Sequence, residues 1–294
     1  MSAGDPSSDL RLNEPPWPAV AERVGVITRV TRAGLSRSTF LVHTTRGEVV
    51  VKRMTADHDP DQHLGLIAQL SQPPHRFCPR ALGAVILDPT CWYALFEWLD
   101  GAHRPSGSGY ADLLWRSALD LLGRMRDSAA VPERRIESIW LDRLDAHFLA
   151  DADTSLLLSS LRGAVPDGPR TLAHGDFSVQ NFVWSSGGVM LVDWEEVGSA
   201  PVGFDAGWML ALARMGHGPL RSHQEMLAAF VAAGFPPSNL SWFEALGLLR
   251  LLFRTQTLPM DDVLRRVVVI ALRRAVSERA ARMGLSFRDG LGEI

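Results

Sequence analysis

Lysine is nearly missing from this sequence. Of 30 basic residues in a chain of 294, 29 are arginine and one, Lys52, is lysine. Heavy arginine use is what GC-rich coding produces, so on its own it says nothing about mechanism. A lysine that persists against that bias is of more interest, because an ammonium and a guanidinium are not interchangeable. Cysteine is scarce too. Cys78 and Cys91 allow at most one disulfide and cannot make a structural zinc site without help from other residues. They fit a reducing compartment better than a secreted scaffold. Excess charge is absent: Lys+Arg 30 against Asp+Glu 33 leaves a net charge of -3. That excludes the broad basic field of a general nucleic-acid binder. No apolar run reaches the roughly 18 residues of a membrane span. The polar, proline-rich stretch from Met1 to Trp17 has no apolar core of a signal peptide, so a cytoplasmic location is expected.

What is present is the composition of an ordinary globular protein, 46% hydrophobic and 21% charged. The length allows one large domain or two medium ones. Residues 1–18 read as a loose tail. Val24–Val30, Phe40–Thr44 and Glu48–Met54 follow as short runs rich in Val, Ile and Thr, which predict an antiparallel meander. Asp59–Ser71 carries Leu64, Ile67 and Leu70 at helical spacing and stops at Pro73-Pro74. Ala84–Leu87 and Cys91–Glu97 read as two more strands. Beyond a Pro/Gly/Ser linker at 102–109 the pattern turns helical: Tyr110–Arg126, Glu137–Leu149 and Asp153–Leu161. An island at 172–197 interrupts. Helices then resume at Asp205–Met215, Pro219–Ala233, Trp242–Thr255 and Asp261–Met283. There is no repeat at solenoid periods. The pairs Arg265-Arg266 and Arg273-Arg274 read as solvated helix faces.

The island is the densest signal. It begins Leu172-Ala173-His174-Gly175-Asp176 and runs through Asn181 to Phe182-Val183-Trp184. After the turn Ser185-Ser186-Gly187-Gly188 come Val189-Met190-Leu191-Val192-Asp193-Trp194-Glu195. Two apolar stretches around such a turn predict a hairpin. Asn181 enters it and Asp193 leaves it, so the two are expected side by side. A carboxamide oxygen and a carboxylate are hard ligands of the kind Mg2+ takes alongside phosphate oxygens and waters. Asp176, one short loop away, can accept a proton from a hydroxyl or orient that hydroxyl for in-line attack.

These residues resemble the aminoglycoside phosphotransferase and choline kinase-like family, the small-molecule branch of the protein-kinase-like fold. The family string is His-Gly-Asp, four residues, Asn, then a hairpin ending in Asp-Trp-Glu or Asp-Phe-Glu. His174-Gly175-Asp176, Asn181 and Asp193-Trp194-Glu195 match it without a shift. The resemblance implies an α+β, bilobal fold. A small antiparallel N-lobe with one helix (19–98) would precede a larger, mainly helical C-lobe (99–294) that contains the catalytic hairpin. It implies ATP, or GTP, and Mg2+ as cofactors, Asp176 as the catalytic carboxylate, and Asn181 and Asp193 as metal ligands. It implies that Lys52 meets the nucleotide phosphates and that the loop holding Ser36 covers them. Glu97 and Trp98 would lie at the hinge, where backbone groups read the purine. His174 is expected to prop the loop. Asp205, in Pro201-Val202-Gly203-Phe204-Asp205, is expected as a structural N-cap.

One feature departs from the family. Its first helix normally carries a Glu that pairs with the strand Lys, and here His63 or Gln62 takes that place. Asp57, Asp59 or Asp61 could substitute, or phosphate alone could hold Lys52. The cluster 57–63 reads as a solvated loop with carboxylates at a helix N-terminus, not as a metal site. Other chemistries lack their motifs: there is no Walker phosphate loop, no dinucleotide-binding Gly-x-Gly-x-x-Gly after a strand and no Gly-x-Ser-x-Gly elbow.

Substrate choice is expected in the helices after Asp193. Residues 201–294 hold eleven arginines against eight acids, which would serve a polycation poorly unless acids cluster in the pocket. Glu195 and Glu196 could help there. The expected activity is phosphorylation of a hydroxyl on an antibiotic or related natural product, conferring resistance. The alternatives are a metabolic kinase for choline, homoserine or a sugar-like substrate, and a non-catalytic nucleotide-binding scaffold. The protein would be a monomer or homodimer with no nucleic-acid or membrane partner.

Overall fold

The computed structural model describes residues 16–33, 38–54, 59–73, 76–88, 90–99, 110–185, 188–216, 221–257 and 262–284. In chain order the elements are α1 (Trp17–Val24), β1 (Ile27–Arg32), β2 (Thr39–Thr44), β3 (Gly47–Met54), α2 (Pro60–Leu70), β4 (Ala81–Asp88) and β5 (Cys91–Glu97). Then come α3 (Tyr110–Arg126), α4 (Ile136–His147), α5 (Ala152–Gly163), β6 (Arg170–Ala173), β7 (Phe182–Ser185), β8 (Gly188–Leu191) and β9 (Gly198–Pro201). The chain closes with α6 (Phe204–Arg214), α7 (His223–Ala232), α8 (Pro237–Thr257) and α9 (Asp262–Arg282). Contacts divide it into two units. One is Met1–Arg104 with Phe182–Glu195, and the other is Pro105–Asn181 with Glu196–Ile294.

In the first unit β1 to β5 form one antiparallel sheet in the order β1-β2-β3-β5-β4. The strands alternate as period-2 pattern demands. Val49 and Val51 of β3 join Val30, Phe40, Val42, Tyr93 and Leu95 in a core that α1 covers with Trp17, Val20 and Val24. Met54 belongs to a second cluster with Trp92 and Ala94, against which Leu64 of α2 packs. Lys52 alternates with Val51, lies opposite Thr39 and Ala94 in register, and is buried.

Four expectations are corrected here. Trp17 and Pro18 are helix, not loose tail; Trp17 is buried and meets the Phe40 ring edge-on at 5.1 Å. The helix is only 8 residues long, with Pro in its first turn and no side-chain cap, so burial of its apolar face holds it and its local sequence does not announce it. The small lobe therefore has two helices, and β1 begins only at Ile27, after Gly25 turns the chain at φ +97. The hairpin β7–β8 also groups with the first unit and not with residues 99–294. The Leu191 N–H donates to the Phe77 carbonyl at 2.7 Å, and Phe77 packs on Trp194.

The second unit is mainly helical, with β6 and β9 as a short antiparallel pair. Its core gathers Trp140, Leu144, Leu157, Leu161, Phe204, Trp242, Phe243, Leu246 and Val276. α6 and α8 press together because both carry glycine at the contact. A Cβ on Gly207 would lie 2.4 Å from the Phe243 Cβ, and one on Gly247 would lie 2.8 Å from the Ala211 Cβ. Among the described residues, no helix is long and apolar enough to cross a membrane.

Candidate active site

Asp176 stands in the loop that leaves β6. The loop turns at Gly175, whose φ of +90 is open to glycine, and a Cβ there would meet the Glu196 Cβ and the Ile136 Cδ1 at 2.6 Å. The buried carboxylate of Asp205 accepts the His174 N–H at 2.8 Å and the Gly175 N–H at 3.0 Å. This corrects the N-cap expectation. The N-cap of α6 is Gly203, at φ +108, and Asp205 lies inside the first turn, where it braces the loop. Burial pushes the Asp205 carboxyl above its ordinary value, opposed by His174 and the two backbone N–H groups. His174 is fully buried, and its Nδ1 accepts the Asp176 N–H at 3.2 Å. Asn181 Nδ2 donates to the Asp176 carbonyl at 2.8 Å. The backbone of the loop is thus held from three directions.

The Asp176 side chain remains partly open. Burial would push its carboxyl up, but Arg254, Arg250 and His174 outweigh burial and hold it below the usual carboxylate range. Arg254 Nη1 is 3.3 Å from Asp176 Oδ1. Arg250, one turn earlier on α8, is buried between the rings of Trp140, at 4.1 Å, and Trp208, at 4.3 Å. Its Nη2 donates to the Gly175 carbonyl at 2.8 Å. Burial pushes this guanidinium down to about 10, which still leaves it charged at neutral pH. Sequence reasoning missed both arginines as partners of the loop. Their spacing of four on a helix is the only signal, and many helices share it.

In the first unit, Lys52 Nζ donates to Asp193 and lies 3.0 Å from Glu195 Oε1. Burial alone would push the ammonium down; Asp193 and Glu195 outweigh it and hold the lysine above its ordinary value. Asp193 has φ +70, a left-handed conformation uncommon outside glycine. The question left by the missing helix carboxylate is answered at this point: Glu195 is the second acid on Lys52. His63 is buried with its ring against Trp92 at 5.9 Å. Asp59 is occupied as the N-cap of α2, accepting the Gln62 N–H at 2.9 Å, and Asp57 lies outside the described residues. Glu196 is engaged within the second unit. It accepts Trp140 Nε1 at 2.6 Å and lies 3.5 and 3.6 Å from Arg143 and Arg250.

The remaining residues are less informative. Ser36 lies outside the described residues. Glu97 ends β5, and its carboxylate accepts the Arg80 N–H at 2.9 Å; its own N–H donates to the Arg80 carbonyl at 3.0 Å. Trp98 is exposed. Among the described residues no group of three or more His, Cys, Asp or Glu could hold a metal ion. The donor types nevertheless fit Mg2+, which uses one or two protein oxygens with phosphates and water. Tethering of Asn181 Nδ2 leaves its carbonyl oxygen as acceptor in the second unit, and the first unit carries the Asp193 carboxylate beside Lys52.

A five-stranded antiparallel sheet with a buried lysine, a braced His-Gly-Asp loop and a helical C-terminal part define a protein-kinase-like phosphotransferase with an alcohol group as acceptor. The chain belongs to the phosphotransferase enzyme family, whose model matches residues 27–243. No curated protein matches it significantly. Among solved structures it is similar to the choline kinase LicA from Streptococcus pneumoniae, with 17% identity, 90% of this chain and 98% of that one covered, and a TM-score of 0.60. It is similar to an amicoumacin kinase, hAmiN, in complex with AMP-PNP, Ca2+ and Ami (12% identity, 92% and 96% covered, TM-score 0.69). It is also similar to a thermostable mutant of the aminoglycoside phosphotransferase APH(4)-Ia with ADP and hygromycin B (13% identity, 90% and 98% covered, TM-score 0.64). At these identities the likeness is one of fold.

Proposed function

We propose that the protein is an ATP- and Mg2+-dependent phosphotransferase acting on a hydroxyl of an antibiotic or related natural product, and so a resistance kinase. One observation carries the reading: the backbone around Asp176 is locked by His174, Asn181 and Asp205 while its carboxylate is kept ionised and partly open. A fixed carboxylate of this kind can orient an acceptor hydroxyl and take its proton. The hydroxyl oxygen forms its bond to the γ-phosphorus as the bond from phosphorus to the bridging oxygen breaks. The electron pair leaves with ADP and the proton passes to Asp176. Lys52 binds the nucleotide phosphates, exchanging one of its two carboxylate contacts for them. Asn181 and Asp193 would hold Mg2+, which when bound neutralises charge on the phosphates. Glu97 and Trp98 are assigned to the purine, with GTP as the alternative nucleotide, and Ser36 to the loop over the phosphates. The fold relatives solved with AMP-PNP and ADP support a nucleotide site.

A metabolic kinase is the second reading, and the choline kinase relative supports it. The third is a non-catalytic scaffold: the absence of a Glu from the first helix favours it, and the Glu195 contact, a second acid on Lys52, speaks against it. The test is a panel of antibiotics and metabolites with purified protein, read by the mass gain of one phosphoryl group. Asp176→Asn should lose transfer and keep nucleotide binding. Turnover of metabolites, with no antibiotic modified and no rise in host resistance, overturns the first reading in favour of the second. An Asp176→Asn chain with its biological effect intact favours the third.

A further inference from the structure

The two arginines on α8 do different work. Arg250 is buried, stacked between Trp140 and Trp208, and bonded to the Gly175 carbonyl, so it is part of the scaffold. Arg254 is not. Its side chain is 32% exposed, and its 3.3 Å contact with Asp176 is longer than the roughly 2.7–2.9 Å of a strong charged hydrogen bond. A guanidinium has five N–H donors. Among the described residues, no acceptor meets Nε or Nη2 of Arg254. Its guanidinium rests 5.2 Å from the Trp208 ring centroid, a support that leaves the outer N–H groups accessible.

The acids around the loop are also already answered. Asp176, Asp205 and Glu196 face Arg143, Arg250, Arg254 and His174, by contact or through space. A polycationic acceptor would find these three acids engaged and a guanidinium at the open edge. An anionic acceptor would find unused donors beside the carboxylate that receives its hydroxyl. Taking up Arg254, it would leave the other ion pairs intact and free Asp176 Oδ1.

We propose that Arg254 is a specificity-determining residue of the acceptor site: it pairs with Asp176 when no acceptor is bound and turns to a carboxylate or similar anion carried near the hydroxyl of the acceptor. The favoured substrate class is thus an alcohol bearing negative charge, from a natural product or from metabolism, and not a polycation. This rests on the reading of Asp176 as the carboxylate that meets the acceptor.

The experiment uses the full chain with Mg2+ and ATP. Glycerate and 3-hydroxybutyrate serve as anionic alcohols, glycerol as the neutral one, and choline and an aminoglycoside as the cationic ones. ADP release and phosphorylated product are measured for the wild type, Arg254→Met and Arg254→Lys, with AMP-PNP binding and thermal melting as controls. The anionic alcohols should be turned over at least tenfold faster than glycerol or the cations. Arg254→Met should abolish that preference while AMP-PNP binding and melting stay unchanged, and Arg254→Lys should restore part of it. Preference for a cation, no turnover of either anionic alcohol, or an order unchanged in Arg254→Met overturns the inference while leaving the kinase reading in place. A wild type that binds no AMP-PNP overturns both.

Discussion

Glu195 Oε1 stands 3.0 Å from Lys52 Nζ, so the carboxylate that supports the lysine comes from the end of the β7–β8 hairpin and not from α2. The Lys52 ammonium sits between two acids, and a planar guanidinium could not meet both without displacing them. Lys52→Arg should therefore lower kcat/KM for ATP on the order of 10²-fold despite keeping the charge. Glu195→Gln, which leaves Asp193 in place, should lower it about tenfold, as expected for loss of one charged hydrogen bond of roughly 1.5 kcal/mol. Initial-rate kinetics over a range of ATP concentrations check both. Near-normal kinetics in Lys52→Arg would mean that the nucleotide has been assigned to the wrong residue.

The brace from Asp205 separates two roles. A true N-cap tolerates Asp→Asn almost without loss. Here the carboxylate accepts two N–H groups, and Asn would turn one of its own N–H groups toward a donor. Asp205→Asn should cost about 2–4 kcal/mol and lower activity along with it. A melting temperature within 1 °C or so of wild type would refute the brace.

Glu244 predicts the acid limb of stability. It is fully buried on α8 and contacts His223 at 2.9 Å, Arg279 at 2.7 Å and Arg214 at 2.5 Å. Burial would push its carboxyl up; these three partners outweigh burial and hold it below its ordinary value of 4.5. With the folded value depressed, the stabilisation is present above about pH 4.5 and is lost as pH falls through the folded value. Glu244→Gln should cost about 3 kcal/mol at pH 7. It should also flatten the fall of melting temperature between neutral and acid pH, which differential scanning calorimetry across that range would show. A parallel pH profile in the variant would exclude Glu244 as a cause.

The two thiols should differ. Cys78 is buried, and burial, with Glu97 nearby, pushes its thiol up to about 12. Cys91 is half-buried at the start of β5. At pH 8 a thiol reagent should modify Cys91 in the folded protein and reach Cys78 only after unfolding, as peptide mapping would show. Equal rates at both sites would contradict the burial of Cys78.

Much of this molecule is written locally. His174-Gly175-Asp176, Asn181 and Asp193 could be read because their chemistry depends on short spacings around one loop and one hairpin, and β5 and α3 were bounded by period and breakers alone. Lys52 stood out by composition, and alternation along β3 set it apart from Val51. The sequence alone therefore determined the fold class, the family and the candidate residues. Their partners were decided by the tertiary structure. Lys52 and Asp193 are 141 residues apart, Arg254 and Asp176 are 78, and Asp205 reaches back 31 residues to His174. Trp17 became helix because a sheet offered it burial, and Asp205 became a brace because the close packing of α6 on α8 carries it to the loop. Spacing along a chain records which groups a local turn brings together. Which charge answers which across a core depends on packing, and packing is a property of the whole fold.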